Sequence, residues 1–283
     1  MTTTNTLKTV FLLGLMSAIL LLGGQALGGR GGMYIGLMLA VVMNFGSYFF
    51  SEKIALSMYH AQPVTPTENP EVYRRVYPMA ANICQRMGIP VPKLWIIPEE
   101  SPNAFATGRN PSHSSVAFTA GLLQLMDDRE VEGVLAHELA HVLHRDILTS
   151  SVAATIGAAI TQLSYMAMFF GGRRDDEDHG GGMGGLLMLI LGPIAATIIQ
   201  LWISRTREFA ADAGAAKYTG TPYGLISGLQ KLETYSKRIP MEASPATAHM
   251  FIIMPFGAGG VMSKLFSTHP STADRIAKLQ AIR

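Results

Sequence analysis

Long uncharged apolar runs constrain this chain more than any other feature of its sequence. Four runs approach the roughly 20 residues that a helix needs to cross a bilayer, and they cover residues 10–27, 33–50, 147–170 and 186–203. Only the glycine-rich turn at residues 28–32 separates the first two, which are therefore predicted to form a helical hairpin. The charged fraction of 15% supports this interpretation, because soluble domains usually carry about a quarter charged residues.

Each of the two segments predicted to be a transmembrane hairpin also has an alternative interpretation. Residues 1–26 would suit a cleaved signal peptide, because Lys8 precedes an apolar core and residues 24–26 resemble a small-residue cleavage site. The second run follows almost at once, which favours a retained hairpin. Residues 147–204 would suit a buried soluble hairpin, since Ser, Thr and Gln interrupt them, but such side chains also join packed membrane helices. We predict four transmembrane helices.

The distribution of basic residues predicts how the four crossings are oriented. With four crossings, both termini and the polar segments lie on the same side of the membrane. That side has more lysine and arginine near the membrane than the opposite side does: Lys8, Lys53, Arg145, Arg205 and Arg207 against Arg30, Arg173 and Arg174. Because basic residues are enriched in cytoplasmic loops, the polar domain is predicted to face the cytoplasm.

The segment His137-Glu138-Leu139-Ala140-His141 has the spacing of a metal site. Residues four apart share one face of a helix, so His137 and His141 can bind one ion together. Glu138 lies beside that ion, where it can take a proton from a metal-bound water whose pKa zinc lowers. The pattern therefore predicts a hydrolytic zinc centre.

A catalytic zinc needs a third protein ligand and an open fourth position. His144 is a poor candidate, because it lies about 10.5 Å from His137 along a helix axis whereas zinc–nitrogen bonds measure about 2.1 Å. Glu208 is better, since a hairpin of the third and fourth apolar runs brings it to the height of the histidines. Asp212 lies four residues further, so one carboxylate can bind the metal while the other orients a ligand histidine. The alternative for this pair is a solvated charged helix face.

Three motifs, in this order, resemble the HtpX family of membrane-bound zinc metalloendopeptidases. They are His137-Glu-Leu-Ala-His141, Arg207-Glu-Phe-Ala-Ala-Asp212 and His269-Pro-Ser-Thr-Ala-Asp-Arg275. The segment at residues 103–108 agrees, and the resemblance covers nearly the whole chain. It implies a mainly helical α+β fold, in which a zincin-like metallopeptidase domain is combined with four transmembrane helices.

The resemblance also implies roles for residues at the metal. Glu208 would be the third ligand, Glu138 the general base, and Asp212 a residue that orients a ligand. One zinc ion per chain is implied, and it would activate the water that attacks the peptide bond.

Further residues are implied to contact the substrate. An edge strand that binds the substrate main chain by β-augmentation would contain Asn103, Ala104 and Phe105. His269 would donate to the oxyanion, and Arg275 would hold that region or a carboxylate in place. The alternatives are a residue at the start of a helix for His269 and a turn residue for Asn103.

Within this family interpretation the chain divides into four segments. They are a transmembrane hairpin (1–55), the first part of the metallopeptidase domain with a small sheet and the zinc-binding helix (56–146), a second transmembrane hairpin (147–204), and a second part with the third ligand (205–283). The implied partners are the lipid bilayer and polypeptide substrates, chiefly misfolded membrane proteins. The implied role is quality control and stress response at the plasma (inner) membrane, with the active site in the cytoplasm.

Other classes of protein fit the sequence less well. An intramembrane metalloprotease is disfavoured because the charged residues at 127–132 would lie in hydrocarbon. A membrane protein with a structural zinc would not need Glu138 as a spare carboxylate beside the metal. Cys84 is the only cysteine, so a thiolate zinc site is excluded, and a net charge of +2 without a basic cluster argues against nucleic acid as a partner.

Overall fold

The computed structural model describes residues 2–152, 205–239 and 270–282, together with 241, 243, 247 and 250–253. In this part of the chain the helices are α1 (Thr2–Met58), α2 (Pro70–Met87), α3 (Ala120–Leu125), α4 (Asp128–His144), α5 (Arg205–Thr219), α6 (Tyr223–Ser236) and α7 (Thr272–Gln280). The strands are β1 (Gln62–Val64), β2 (Lys93–Ile97), β3 (Ala104–Asn110) and β4 (His113–Thr119). Residues 146–152 are also helical. The predicted mainly helical α+β fold is confirmed.

Helix α1 is a hairpin of two arms that meet at Gly29. Its backbone there has a φ of 56°, in the left-handed region that favours glycine. The arms pack closely where Gly24 meets Gly32. A Cβ atom added to Gly24 would lie 2.3 Å from the carbonyl oxygen of Gly32, so only glycine fits at this position. Asn44 of the second arm donates to Ser17 Oγ of the first at 2.8 Å. Small residues and interhelical hydrogen bonds of this kind join helices in membranes.

Both arms of α1 expose large apolar side chains, and one of them is long enough to cross a membrane. The second arm, Gly28–Met58, is the described helix that is long and apolar enough to cross a membrane, with a mean hydropathy of 1.6. Thr9–Leu22 in the first arm is a shorter apolar helix. Large apolar side chains project outward from both arms, among them Val10, Phe11, Leu22, Ile35, Met38, Val41, Val42 and Phe45. The second predicted hairpin, residues 147–204, lies outside the described residues except for its first turns.

One four-stranded sheet follows the hairpin, in the order β1-β2-β4-β3. Strands β2 and β4 are parallel, whereas β1 with β2 and β3 with β4 are antiparallel. Residues 62–70 contain three prolines, as a linker often does, but the first three of these residues form β1. Pro63 is compatible with a strand there because β1 is an edge strand, where a missing N–H breaks no ladder. At the opposite edge lies β3, which faces the predicted site.

Helix α4 is the central helix of the domain. It begins with a capping box, in which Asp127 accepts from the backbone N–H of Glu130 and the Glu130 side chain accepts from the backbone N–H of Asp127. It packs against β3, α2, α5 and α6, and Val131, Leu135 and Leu139 are fully buried in the core. The predicted metal-binding histidines are therefore carried by the most firmly packed element of the fold.

Candidate metal centre

Two helices bring three metal-binding side chains together. His137 and His141 lie one turn apart on α4, and Glu208 lies in the first turn of α5. One potential ligand atom from each residue lies within 4.8 Å of the other two. His137 and Glu208 are buried, and His141 is partly exposed. The three residues predicted as ligands therefore form one cluster.

The spacing of this cluster fits a single tetrahedral zinc ion. Two atoms bound to such an ion at about 2.1 Å lie roughly 3.4 Å from each other. The Nε2 atoms of His137 and His141 are 3.2 Å apart. Glu208 places Oε1 3.5 Å from Nε2 of His141 and Oε2 3.7 Å from Nε2 of His137. Two imidazoles and a glutamate are also a known ligand set of catalytic zinc, so the residues present fit the ion.

Asp212 contacts the other ring nitrogen of His137, with 2.9 Å between Nδ1 and Oδ1. A carboxylate only accepts, so Nδ1 carries the proton and Nε2 presents its lone pair to the cluster. Arg275 is fully buried and donates to both oxygens of Asp212, at 2.9 and 2.7 Å. Burial acts to raise the pKa of Asp212, but the charge and hydrogen bonds of Arg275 outweigh it and lower that pKa. Arg275 therefore contacts the carboxylate that accepts from His137.

Asp146 is an equivalent partner for His141 that the sequence analysis missed. Its Oδ2 accepts from Nδ1 of His141 at 3.1 Å. Burial acts to lower the pKa of His141, but the hydrogen bond to Asp146 and the charge of Glu208 outweigh it and raise that pKa to about 9. The only signal in the sequence is an acidic residue five positions after the second histidine. Its approach to His141 depends on Arg145, whose left-handed backbone (φ 59°) ends α4.

Glu138 shares the pocket of the ligand cluster, next to Ala106 and His141. Burial raises the pKa of its carboxyl to about 7; the charge of His141 opposes this shift, and the charge of Glu208 adds to it. A carboxyl group that titrates near neutral pH suits a general base.

The buried charges around the ligands leave the pocket negative. Among the described residues, four carboxylates and two guanidinium groups lie here with little or no exposure: Glu138, Asp146, Glu208, Asp212, Arg207 and Arg275. When all four carboxylates are ionised and both imidazoles are neutral, the carboxylates exceed the guanidinium groups by two, which is the charge that one divalent cation neutralises. Because buried charge is costly unless it is paired, the pocket favours such a cation.

A model of peptidase family M48 matches residues 66–283, which is more than half of the chain. The chain belongs to peptidase family M48. This M48 peptidase is 50% identical over 281 residues to a protease HtpX homologue of Desulforapulum autotrophicum, covering 98% of this chain and 89% of that relative. It is 47% identical to a protease HtpX homologue of Methylibium petroleiphilum, with 98% of each chain covered. The predicted membership of the HtpX family and the predicted metallopeptidase activity are confirmed.

A solved structure resembles the M48 peptidase in fold. The crystal structure of S. mikatae Ste24p matches with a TM-score of 0.50 and 19% sequence identity. The match covers 98% of this chain and 65% of that one, so the M48 peptidase spans just under two thirds of its length. This likeness concerns the fold alone, and it agrees with the mainly helical α+β architecture.

The strand predicted to bind substrate has a covered outer edge in the M48 peptidase. The three residues predicted for this role are fully buried: Asn103, Ala104 and Phe105. Residues 250–253 lie along the same edge of β3. Phe251 forms an antiparallel bridge with Phe105, and the backbone N–H of Ile252 donates to the carbonyl of Ala104 at 3.0 Å.

Two further histidines, His144 and His269, are considered in the sequence analysis. His144 lies at the C-terminal end of α4 and is not among the described residues that line the pocket. That it is not a ligand stays a prediction. His269, predicted to donate to the oxyanion, lies outside the described residues.

Proposed function

We propose that this M48 peptidase is a membrane-bound, zinc-dependent endopeptidase in which His137, His141 and Glu208 bind one zinc ion and Glu138 is the general base. The observation that carries the proposal is the clustering of three ligand atoms within 4.8 Å, with the Glu138 carboxyl in the same pocket. A structural site closes with four protein ligands and needs no additional carboxylate beside the metal. Catalysis is therefore preferred to a purely structural zinc.

The residues of the site have separate roles in the proposed hydrolysis. A zinc ion held by His137, His141 and Glu208 would polarise the peptide carbonyl and lower the pKa of a water molecule towards neutrality. Glu138 would take a proton from the attacking water and return it to the leaving amine, and burial, which raises the pKa of its carboxyl, favours this role. Asp212 keeps the proton of His137 on Nδ1, so that Nε2 remains a ligand.

The proposed location is a cell membrane, with the active site on the cytoplasmic side. The two arms of α1 cross the bilayer as a hairpin, and residues 147–204 add a second hairpin. The second arm ends at Met58, and the ring of Tyr59 packs at 5.9 Å from the ring of Phe105 in β3. This contact supports a catalytic domain that lies against the membrane surface, within reach of misfolded membrane proteins as substrates.

The substrate is proposed to bind along β3. In this arrangement Asn103, Ala104 and Phe105 pair with the substrate main chain, and His269 donates to the oxyanion. The proposal is supported by the position of β3 at the edge of the sheet and by Ala106, which lines the pocket beside Glu138.

Metal analysis combined with casein cleavage tests the proposed function. We expect one zinc ion per chain in the full-length protein purified in detergent, loss of cleavage with a chelator, and recovery on addition of zinc. Glu138→Gln should abolish cleavage and keep zinc, because the base is lost while the ligands remain.

Glu132→Gln is the matched control for this variant. It makes the same exchange on the same helix, at a residue that is not among the described pocket residues, and it should keep both zinc and activity. Casein cleavage by Glu138→Gln, in a preparation free of other proteases, would remove Glu138 from its proposed role. Full activity of metal-free protein would contradict the zinc mechanism.

A further inference from the structure

Asp146 joins the metal centre through a sharp turn of the chain. Helix α4 ends at His144, and the left-handed backbone of Arg145 redirects the chain so that Asp146 opens the next helical turn. Its carboxylate is almost fully buried, at 3% exposure. There it accepts the proton of His141 Nδ1, and this leaves Nε2 of that ring facing Glu208.

A second buried charge lies at ion-pair distance from the carboxylate of Asp146, on the opposite helix. Arg207 on α5 places Nη1 3.7 Å from Oδ1 of Asp146, whereas the histidine uses Oδ2. Arg207 directly precedes the ligand Glu208 in the sequence. The pair therefore connects α5 with the end of α4. It is a longer ion pair than the two hydrogen bonds between Arg275 and Asp212, but it places an arginine beside the carboxylate that contacts His141, as Arg275 lies beside the carboxylate that contacts His137.

We propose that Asp146 is a positioning residue of the metal centre, which fixes the tautomer and ring orientation of His141, and that Arg207 acts through Asp146. The inference rests on the proposed zinc site. Carboxylates that accept from the free nitrogen of a ligand histidine commonly contribute about 10–100-fold to metal affinity or activity.

The zinc dissociation constant of the full-length protein, measured in detergent against a competing chelator, tests this role. Asp146→Ala should weaken zinc binding about 10–100-fold. Asp146→Asn should weaken it less, since an amide oxygen can still accept the Nδ1 proton. The visible absorption of the cobalt-substituted protein should change in both variants, because that spectrum depends on the orientation of the imidazole ligand and not on overall stability.

Arg207→Gln tests whether the arginine acts through the aspartate. As a single substitution it should weaken zinc binding. Added to Asp146→Ala it should have no further effect on zinc binding, because an arginine that acts through the aspartate has no role once the aspartate is removed. Asp128→Asn is the control, since it removes a carboxylate paired with an arginine at 2.8 Å on an exposed part of α4.

The outcomes separate this inference from the proposed function. Zinc affinity and a cobalt spectrum of the Asp146 variants that match those of Asp128→Asn overturn the positioning role. Additive effects of Arg207→Gln and Asp146→Ala overturn the linkage. Should Asp146→Ala not fold, Asp146→Asn replaces it in both comparisons. Failure of the wild-type protein to bind zinc would contradict the proposed function itself.

A different observation, the covered edge of β3, carries a second inference. We name residues 250–253 the strap. Beyond the contacts of Phe251 and Ile252, its Ile253 carbonyl accepts from the Asn103 side chain at 2.9 Å. Arg275 donates to the Ile252 carbonyl at 3.0 Å. The Phe251 ring packs 5.1 Å from Tyr59 at the end of α1.

The strap uses the main-chain groups that a substrate would need. A strand edge offers a single row of N–H and C=O groups, and the Ala104 carbonyl already accepts from Ile252. The proposed function places the substrate along β3, at the edge that the strap covers. We infer that the strap pairs with this edge in the free enzyme and leaves it when substrate binds. Its contacts with Arg275 and with the end of α1 connect this step to the metal centre and to the membrane hairpin.

A reversible cross-link between the strap and β3 tests the second inference. Asn103→Cys and Ile253→Cys, combined with Cys84→Ala, place two thiols where the start of β3 contacts the strap, at positions that are not among the described pocket residues. Once mass spectrometry confirms the disulfide, casein cleavage should fall at least tenfold and should return on reduction with a phosphine, with zinc content constant. Equal cleavage by the oxidised and reduced forms overturns the inference.

Loss of one strap hydrogen bond provides the converse test. Ile252→Pro removes the N–H that donates to Ala104, so the strap should leave more readily and casein cleavage should rise several-fold. An unchanged or lower rate, at equal zinc content, contradicts an occupant that competes with substrate. These results leave the proposed zinc chemistry intact, because metal content and the Glu138→Gln phenotype are measured separately.

Discussion

Replacing Arg275 by glutamine is expected to destabilise this M48 peptidase strongly. The guanidinium is 1% exposed, donates to both oxygens of Asp212 at 2.9 and 2.7 Å, and donates to the Ile252 carbonyl at 3.0 Å. Glutamine is neutral and shorter, so the buried carboxylate of Asp212 would lose its cation. Removing one partner of a buried ion pair costs about 3–5 kcal/mol.

The thermal unfolding midpoint in detergent, with zinc in excess, measures this cost. For a domain of 150–250 residues, a loss of 3–5 kcal/mol lowers the midpoint by roughly 6–20 °C. Lys237→Gln is the control, because it removes a cation from an exposed pair with Glu233 at 2.9 Å. Exposed pairs of this kind contribute about 0–1 kcal/mol, so the control should shift the midpoint only slightly.

Zinc should modify the size of the effect. With the ion bound, its two positive charges compensate part of the negative charge that Arg275→Gln leaves behind, so the variant should lose more stability when zinc is chelated. A midpoint shift no larger than that of Lys237→Gln, with or without zinc, would refute the reasoning, because the buried carboxylates would then not need the guanidinium.

The remaining predictions concern the ligands, the core and the topology. Glu208→Ala should lose zinc and casein cleavage, whereas His144→Ala should keep zinc; metal analysis giving the reverse contents would exchange their assignments. Gly133→Ala should cost about 1–3 kcal/mol, because the added Cβ would lie 2.5 Å from the backbone of α6; Gly46→Ala, with no atom within 4 Å, is the control in thermal unfolding. Accessibility tags at residues 171–185 and at the C-terminus should appear on opposite faces of the membrane, and the same face would contradict four crossings.

Local periodicity explains which parts of the site the sequence predicts. His137 and His141 follow from one turn of a helix, and the hairpin of α1 follows from the glycines that separate two apolar runs. Glu208 required a hypothesis about tertiary structure, namely that the helices flanking residues 147–204 approach each other. The described parts of those helices do so, with the ligand atoms within 4.8 Å.

Single backbone angles and distant pairings explain what the sequence does not predict. Had α4 continued as a regular helix, Asp146 would lie about 140° around the axis from His141; the left-handed conformation of Arg145, uncommon for a residue other than glycine, brings it back. The strap pairs with a strand about 150 residues earlier, as the contact between Asn103 and Ile253 shows. No periodic pattern in either segment indicates this pairing.

The two histidines are held in an arrangement that favours an ion over an empty pocket. Because Asp212 and Asp146 each accept from an Nδ1 atom, each Nε2 atom carries a lone pair when its ring is neutral, and these two atoms face each other at 3.2 Å. Two lone pairs at this distance repel unless a cation or a proton lies between them. The carboxylates around them add negative charge that two buried guanidinium groups only partly balance. Folding of this region and binding of a divalent cation should therefore be coupled. The arrangement of the ligands destabilises the metal-free folded chain, and the bound cation removes this cost.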